Sequence, residues 1–178
     1  MVILVIGPSG VGKSDYGRHA ANVIPDCRFF DLDELVSQRS RTPASQLLGQ
    51  IGNDAFLGRC QQEVDAISQS CTQDVAVVAV GAGALQSGHV GAWLSRHVGL
   101  TMAVVAPPAE VYRRGGDRNR NRTLEQFIAT EYSQHRQRLY ETAKCRCCVT
   151  GLSVEEAKNR FADIIRKLVM QSHGETAP

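Results

Sequence analysis

An excess of charge of one sign is missing from this chain. Its 178 residues carry 20 Lys and Arg against 18 Asp and Glu, a formal net charge of +2. That balance gives no overall field to hold a nucleic-acid backbone. Aromatic residues are few, at 6%. No stretch interleaves them with basic residues, the platform that specific RNA binding uses. Long apolar runs are absent too. The first, Val2 to Ile6, stops at Gly7, whereas a membrane helix takes about 20 residues and a signal-peptide core about 7–15. No basic leader precedes it, so the expectation is a cytoplasmic protein without a membrane partner. Six cysteines are present, but nothing marks the chain as secreted. Cys145, Cys147 and Cys148 form the one cluster, with His135 the only nearby histidine. Zinc asks for four ligands, usually as two paired spacings, and there is no second pair. The cluster reads as a strand with small thiol side chains. There is no internal repeat, low-complexity tract or long linker.

What is present is the composition of one globular domain, 43% hydrophobic and 21% charged. Strand and helix patterns alternate. Residues 2–6 and 75–80 are continuous apolar runs ending in glycine, the pattern of strands buried on both faces. Residues 28–31, 100–106 and 145–150 read as three further strands, the second stopped by Pro107 and Pro108. Helical spacing covers 14–23, 44–48, 55–68 and 124–139. A last helix follows the capping box Ser153–Glu156. The expected fold is α/β, a parallel sheet of five strands with helices on both faces. A single domain is expected over 1–170, followed by a flexible tail over 171–178.

The strongest motif is Gly7-Pro8-Ser9-Gly10-Val11-Gly12-Lys13-Ser14, which fits G-x-x-x-x-G-K-[ST] between a buried strand and a helix. Glycines let successive N–H groups turn inward as an anion nest, and the following helix adds its positive end. Lys13 is placed for the β- and γ-phosphates of ATP, and the Ser14 hydroxyl for Mg²⁺. Asp15 follows as a further candidate beside the nucleotide. A second signal is local charge. Arg113, Arg114, Arg118, Arg120 and Arg122 share ten residues with one acid, Asp117, and arginine forks bind phosphate oxygens. Asp33 and Asp31 end the second strand beside the loop. Asp33 is a candidate to orient or deprotonate an acceptor hydroxyl, and Asp31 to hold a Mg²⁺-bound water.

The whole order of motifs resembles shikimate kinase, over residues 2–168. Gly17-Arg18 with Ala21 is similar to that family's G-R-x-x-A. Phe30-Asp31-Leu32-Asp33 matches its D-x-D, and Gly81-Ala82-Gly83 stands where it has three glycines. Arg136-Gln137-Arg138-Leu139-Tyr140 resembles its R-x-P-L-Y. The resemblance implies a three-layer P-loop kinase fold with strand order 2-3-1-4-5. It implies ATP- and Mg²⁺-dependent phosphorylation of a small hydroxylated acid. It also implies an acceptor region over about 32–62 and a lid over about 113–123. In that reading Arg136 and Arg59 bind the acceptor carboxylate, with Gly81, Ala82 and Gly83 lining the acceptor. Arg120 or Arg122 stabilises the transferring phosphoryl group, and Arg113 or Arg114 stacks on adenine. Three features depart from the family: Ala82, the absence of the lid proline, and Arg59, which is out of register with the family's F-R-x-x-E. Arg59 and Glu63 also have the spacing of a surface i,i+4 pair.

Shikimate is the leading acceptor and a monomer the expected state. Another hydroxylated metabolite or amino acid stays open, because the departures fall on the acceptor side. From another class, a non-catalytic ATP-binding regulatory module stays open. An RNA-binding ATPase ranks last on charge.

Overall fold

The computed structural model describes residues 1–96 and 100–174, and side chains in it except those of 117, 118 and 172–174. In chain order it contains β1 (Val2–Ile6), α1 (Lys13–Val23), β2 (Cys27–Asp31), α2 (Leu32–Ser40), α3 (Ala44–Ile51), α4 (Asn53–Ser70) and β3 (Val75–Ala79). Then come α5 (Val90–Arg96), β4 (Leu100–Val105), α6 (Pro108–Arg114), α7 (Leu124–Glu131), α8 (Gln134–Thr142), β5 (Cys145–Cys148) and α9 (Val154–Gly174). Two short 3₁₀ turns lie at Ala84–Gln86 and Gly116–Asn119.

The five strands form a parallel sheet in the order β2-β3-β1-β4-β5, as expected. Because side chains alternate along a strand, β1 feeds two cores. Val2, Leu4 and Ile6 pack with Leu32, Phe56, Cys60 and Val64 from α2 and α4. Ile3 and Val5 pack on the other face with Tyr16 and Ala20 of α1 and Phe161 and Ile165 of α9. Burial on both faces is why β1 and β3 are uninterrupted apolar runs. It also fixes the carboxyl ends of β1, β2 and β3 side by side, where open parallel sheets bind ligands.

Several elements differ from the sequence reading. Asp31 is not only a strand end: its Oδ1 accepts from Asp33 N at 3.1 Å and caps α2, which the sequence reading left out. Asp33 therefore sits in the first turn of a helix, not on a strand. The single helix expected over 124–139 is two, α7 and α8, with Ser133 as the N-cap of the second. Pro108 starts α6 at the first helical turn, where its missing N–H costs nothing. The C-terminal helix passes residue 170 and runs to Gly174, into the segment expected as a flexible tail. Residues 175–178 lie outside the described residues. Among the described residues no helix is long and apolar enough to cross a membrane.

Candidate active site

A cleft of about 560 Å³ opens at the carboxyl ends of β1, β2 and β3. Its walls include Ser9, Gly10, Gly12, Lys13, Ser14 and Asp15 of the phosphate loop, with Asp31, Asp33, Gly81, Ala82 and Arg114. The loop's turn depends on Gly12, whose φ is 108°. A Cβ there would lie 2.3 Å from the Tyr16 ring, so the position excludes a side chain on both counts. Gly7, Pro8 and Val11 complete the turn, and Val11 is anchored in the core.

Lys13 is buried and folds back over the loop, donating to Gly7 O at 2.8 Å and Pro8 O at 3.0 Å. Burial lowers its pKa to about 8, against the pull of Glu131, Asp33 and Asp31. The Ser14 hydroxyl donates to Asp31 Oδ2 at 2.7 Å. A hydroxyl and a carboxylate beside a phosphate nest fit Mg²⁺, which takes few protein ligands and completes its shell with phosphate and water. Among the described residues no group of three His, Cys, Asp or Glu side chains could hold a metal, so a dedicated protein cage is not what this site offers.

Asp33 faces the same cleft. Its Oδ1 is buried with no hydrogen-bond partner. Burial, and then the neighbouring Asp31, raise its pKa, and Lys13 partly opposes them. A Cβ on Gly81 would come within 2.0 Å of that oxygen, so glycine is what lets the backbone lie against the carboxylate. A buried acceptor atom without a partner in a polar cleft leaves room for a hydrogen-bond donor.

On the acceptor side Arg136 is buried on α8. It donates to Glu131 Oε2 at 2.5 Å and to Ala82 O at 2.7 Å. Ala82 thus meets Arg136 through its carbonyl. Gly83 lies near Leu48 of α3. Arg59 is elsewhere. The buried face of α4 is Phe56, Leu57, Cys60, Glu63, Val64 and Ile67, so helical geometry turns Arg59 outward. It lines a second groove with Arg39, Leu47 and Ile51, outside the cleft. Nor does it pair with Glu63, whose carboxylate accepts from Arg39 Nε at 2.6 Å.

The arginine segment divides. Arg114 lines the cleft, held by Glu110, by Val149 O at 3.1 Å and Leu152 O at 2.9 Å, and by Tyr16 Oη at 3.2 Å. Arg113 is exposed and absent from the cleft wall. Arg122 stacks on Phe127, donates to Asn119 Oδ1 at 2.7 Å and 2.9 Å, and reaches Glu131 Oε1 at 3.4 Å. Arg120 is exposed. The side chains of Asp117 and Arg118 lie outside the described residues.

Glu131 escaped the sequence reading. It is buried at the end of α7 and accepts from Ser9 N, Arg122 and Arg136. The signal was available: it stands four residues after Phe127 on the apolar stripe of its helix, where an acid needs partners. Tyr16 also escaped that reading: the ring lies under Gly12 and the hydroxyl accepts from Arg114.

Comparison with known proteins agrees with this geometry. The family model described as Shikimate kinase matches residues 9–169. The chain is 31% identical to the shikimate kinase of Thioalkalivibrio sulfidiphilus over 169 residues, 95% of this chain and 83% of that one. It is 30% identical to that of Nitrosococcus oceani over 122 residues, 68% of this chain and 61% of that one. The fold matches the shikimate kinase of Acinetobacter baumannii, solved in complex with shikimate, with a TM-score of 0.70 at 22% identity, covering 96% of this chain and 93% of the other. The phosphate loop on β1, the capped Asp31-x-Asp33 pair and the family match over nearly the whole length together establish that this chain belongs to the shikimate kinase family.

Proposed function

We propose that the chain transfers the γ-phosphoryl group of ATP to a ring hydroxyl of shikimate, giving shikimate 3-phosphate. The observation that carries the reading is Asp33: a buried carboxylate with one oxygen unpartnered, in the same cleft as Lys13 and the Ser14–Asp31 pair. Ser14 and Asp31 would hold Mg²⁺, whose chemistry there would be to neutralise phosphate charge. Asp33 Oδ1 accepts the hydroxyl proton as the new oxygen–phosphorus bond forms and the bond to the leaving diphosphate breaks. Lys13 leaves the loop carbonyls for the phosphates. Arg122, rather than the exposed Arg120, stabilises the transferring group, and Arg136 takes the acceptor carboxylate. Arg114 forms the wall beside the nucleotide. Such a site works mainly by positioning and charge, since phosphoryl transfer needs little covalent help.

The test is ADP release with Mg·ATP, run with shikimate, then with hydroxy acids, polyols and amino acids, with Asp33→Asn alongside. Shikimate-dependent turnover that falls by about 10²–10⁴ in the variant is expected for loss of a positioned base. Turnover with a different acceptor alone would move the substrate and keep the chemistry. Nucleotide binding with no turnover on any acceptor would overturn the catalytic reading.

A further inference from the structure

Glu131 belongs to none of the motifs, yet it touches the phosphate loop, Arg122 and Arg136 at once. One carboxylate oxygen, Oε2, accepts from Ser9 N at 2.9 Å and from Arg136 Nη1 at 2.5 Å. The other, Oε1, accepts from Arg122 Nη1 at 3.4 Å. The residue is 5% exposed and Arg136 is 4% exposed, so neither charge is well served by water. Removing the acid would leave a buried guanidinium facing a second cation across a short gap.

The contact with the loop has a particular geometry. Ser9 N–H and Pro8 C=O belong to one peptide group. Glu131 holds its N–H end at 2.9 Å, and Lys13 Nζ holds its C=O end at 3.0 Å. The peptide is clamped from both sides. When Lys13 turns to the phosphates it releases the carbonyl, which keeps only the longer bond from Val11 N at 3.4 Å, and Glu131 still holds the N–H end. Any reorientation of that peptide is passed to a carboxylate that also fixes Arg136. The guanidinium is meanwhile aimed on its other edge by Ala82 O at 2.7 Å. These bonds and one to the Tyr140 hydroxyl leave further Arg136 donors for a ligand, since the guanidinium carries five N–H groups.

We propose that Glu131 is a positioning residue that couples the phosphate loop to Arg136, so that nucleotide binding sets the geometry of the acceptor-binding arginine. Its link to Arg122 brings the lid into the same arrangement. The coupling is a free energy shared by two sites and is reciprocal: what nucleotide does for Arg136, an acceptor bound to Arg136 does for nucleotide. The kinetic part of the proposal rests on shikimate being the acceptor; the rest does not.

The experiment has two arms. In the first, the Arg136 side-chain Nε–H resonance is followed by NMR, assigned with Arg136→Lys, as Mg·ADP is added without acceptor. The resonance is expected to shift in the wild type and to stay put in Glu131→Gln. In the second, KM for shikimate is expected to rise about tenfold in Glu131→Gln, a loss typical of one mispositioned charged contact, with partial recovery in Glu131→Asp. A purely structural role would lower the active fraction, hence kcat, and leave KM for shikimate alone. The proposal is overturned if Mg·ADP leaves the wild-type Arg136 resonance unmoved, or if Glu131→Gln keeps both that shift and the wild-type KM. The wild-type titration needs no variant, so it decides even if Glu131→Gln does not fold. Wild-type protein that ignores shikimate would remove the acceptor reading, and the NMR arm would still judge Glu131.

Discussion

At the residue scale, Asp33 sets function against stability. Its native carboxyl keeps its proton to a higher pH than the unfolded chain does, chiefly through burial. The sign follows from linkage: stability from the neutral form is present in acid and lost as pH rises through the raised native value. Asp33→Asn is therefore expected to raise the melting temperature at pH 7 while lowering turnover, and to match the wild type near pH 3. Thermal melts across that range check it, and a variant less stable at pH 7 would show that attraction to Lys13 outweighs burial. Lys13 shifts the other way. With a pKa of about 8 in the free protein, it is roughly half protonated at pH 8. Phosphates restore its charge, so Mg·ADP binding at pH 8 should take up about half a proton from solvent at Lys13. Calorimetry in buffers of different ionisation enthalpy measures that uptake, and Lys13→Met should remove it.

At the element scale, Asp31 does two jobs with its two oxygens, capping α2 and accepting from Ser14. Asparagine caps a helix about as well as aspartate, whereas alanine loses about 1 kcal/mol. Asp31→Asn is thus expected to keep urea stability close to wild type but to need more Mg²⁺ for half-maximal turnover. Asp31→Ala should lose both. Urea melts and a magnesium titration separate the two effects. The same residue marks where reading a sequence stops. The central strands were legible because burial on both faces leaves an apolar run that little else produces. The phosphate loop was legible because each glycine and the lysine answer a steric or electrostatic need at fixed spacing. The α2 start was not, since an aspartate at a strand end has the same letters whether it turns the chain or caps a helix. The break at Ser133 was hidden by apolar residues that keep helical spacing across it. Arg59 could not be placed because only the packed helix shows which side of α4 is buried and which is exposed. Glu131 was passed over because its partners are 5, 9 and 122 residues away in sequence.

At the scale of the whole molecule, the sheet brings a cleft of charged groups to one edge of two apolar cores, and ligand binding should be felt through both. A ligand that binds only the folded state adds about 2.7 kcal/mol at a hundred times its dissociation constant. Mg·ADP is expected to raise the melting temperature, and EDTA to remove most of that gain by stripping the cation from the Ser14–Asp31 pair. An equal rise with and without Mg²⁺ would argue against that pair as the metal site. The order of the chain adds one more consequence. The helix that follows the phosphate loop is α1, far ahead of α9 in the chain. Its core face, Tyr16 and Ala20, is covered by Phe161 and Ile165 of α9, the last helix. During synthesis on the ribosome the loop is therefore made well before α9, and the helix behind it stays half bare until α9 emerges. Nucleotide affinity should arrive late and all at once: a nascent chain that ends before α9 offers the right loop sequence to ATP without the scaffold to hold it.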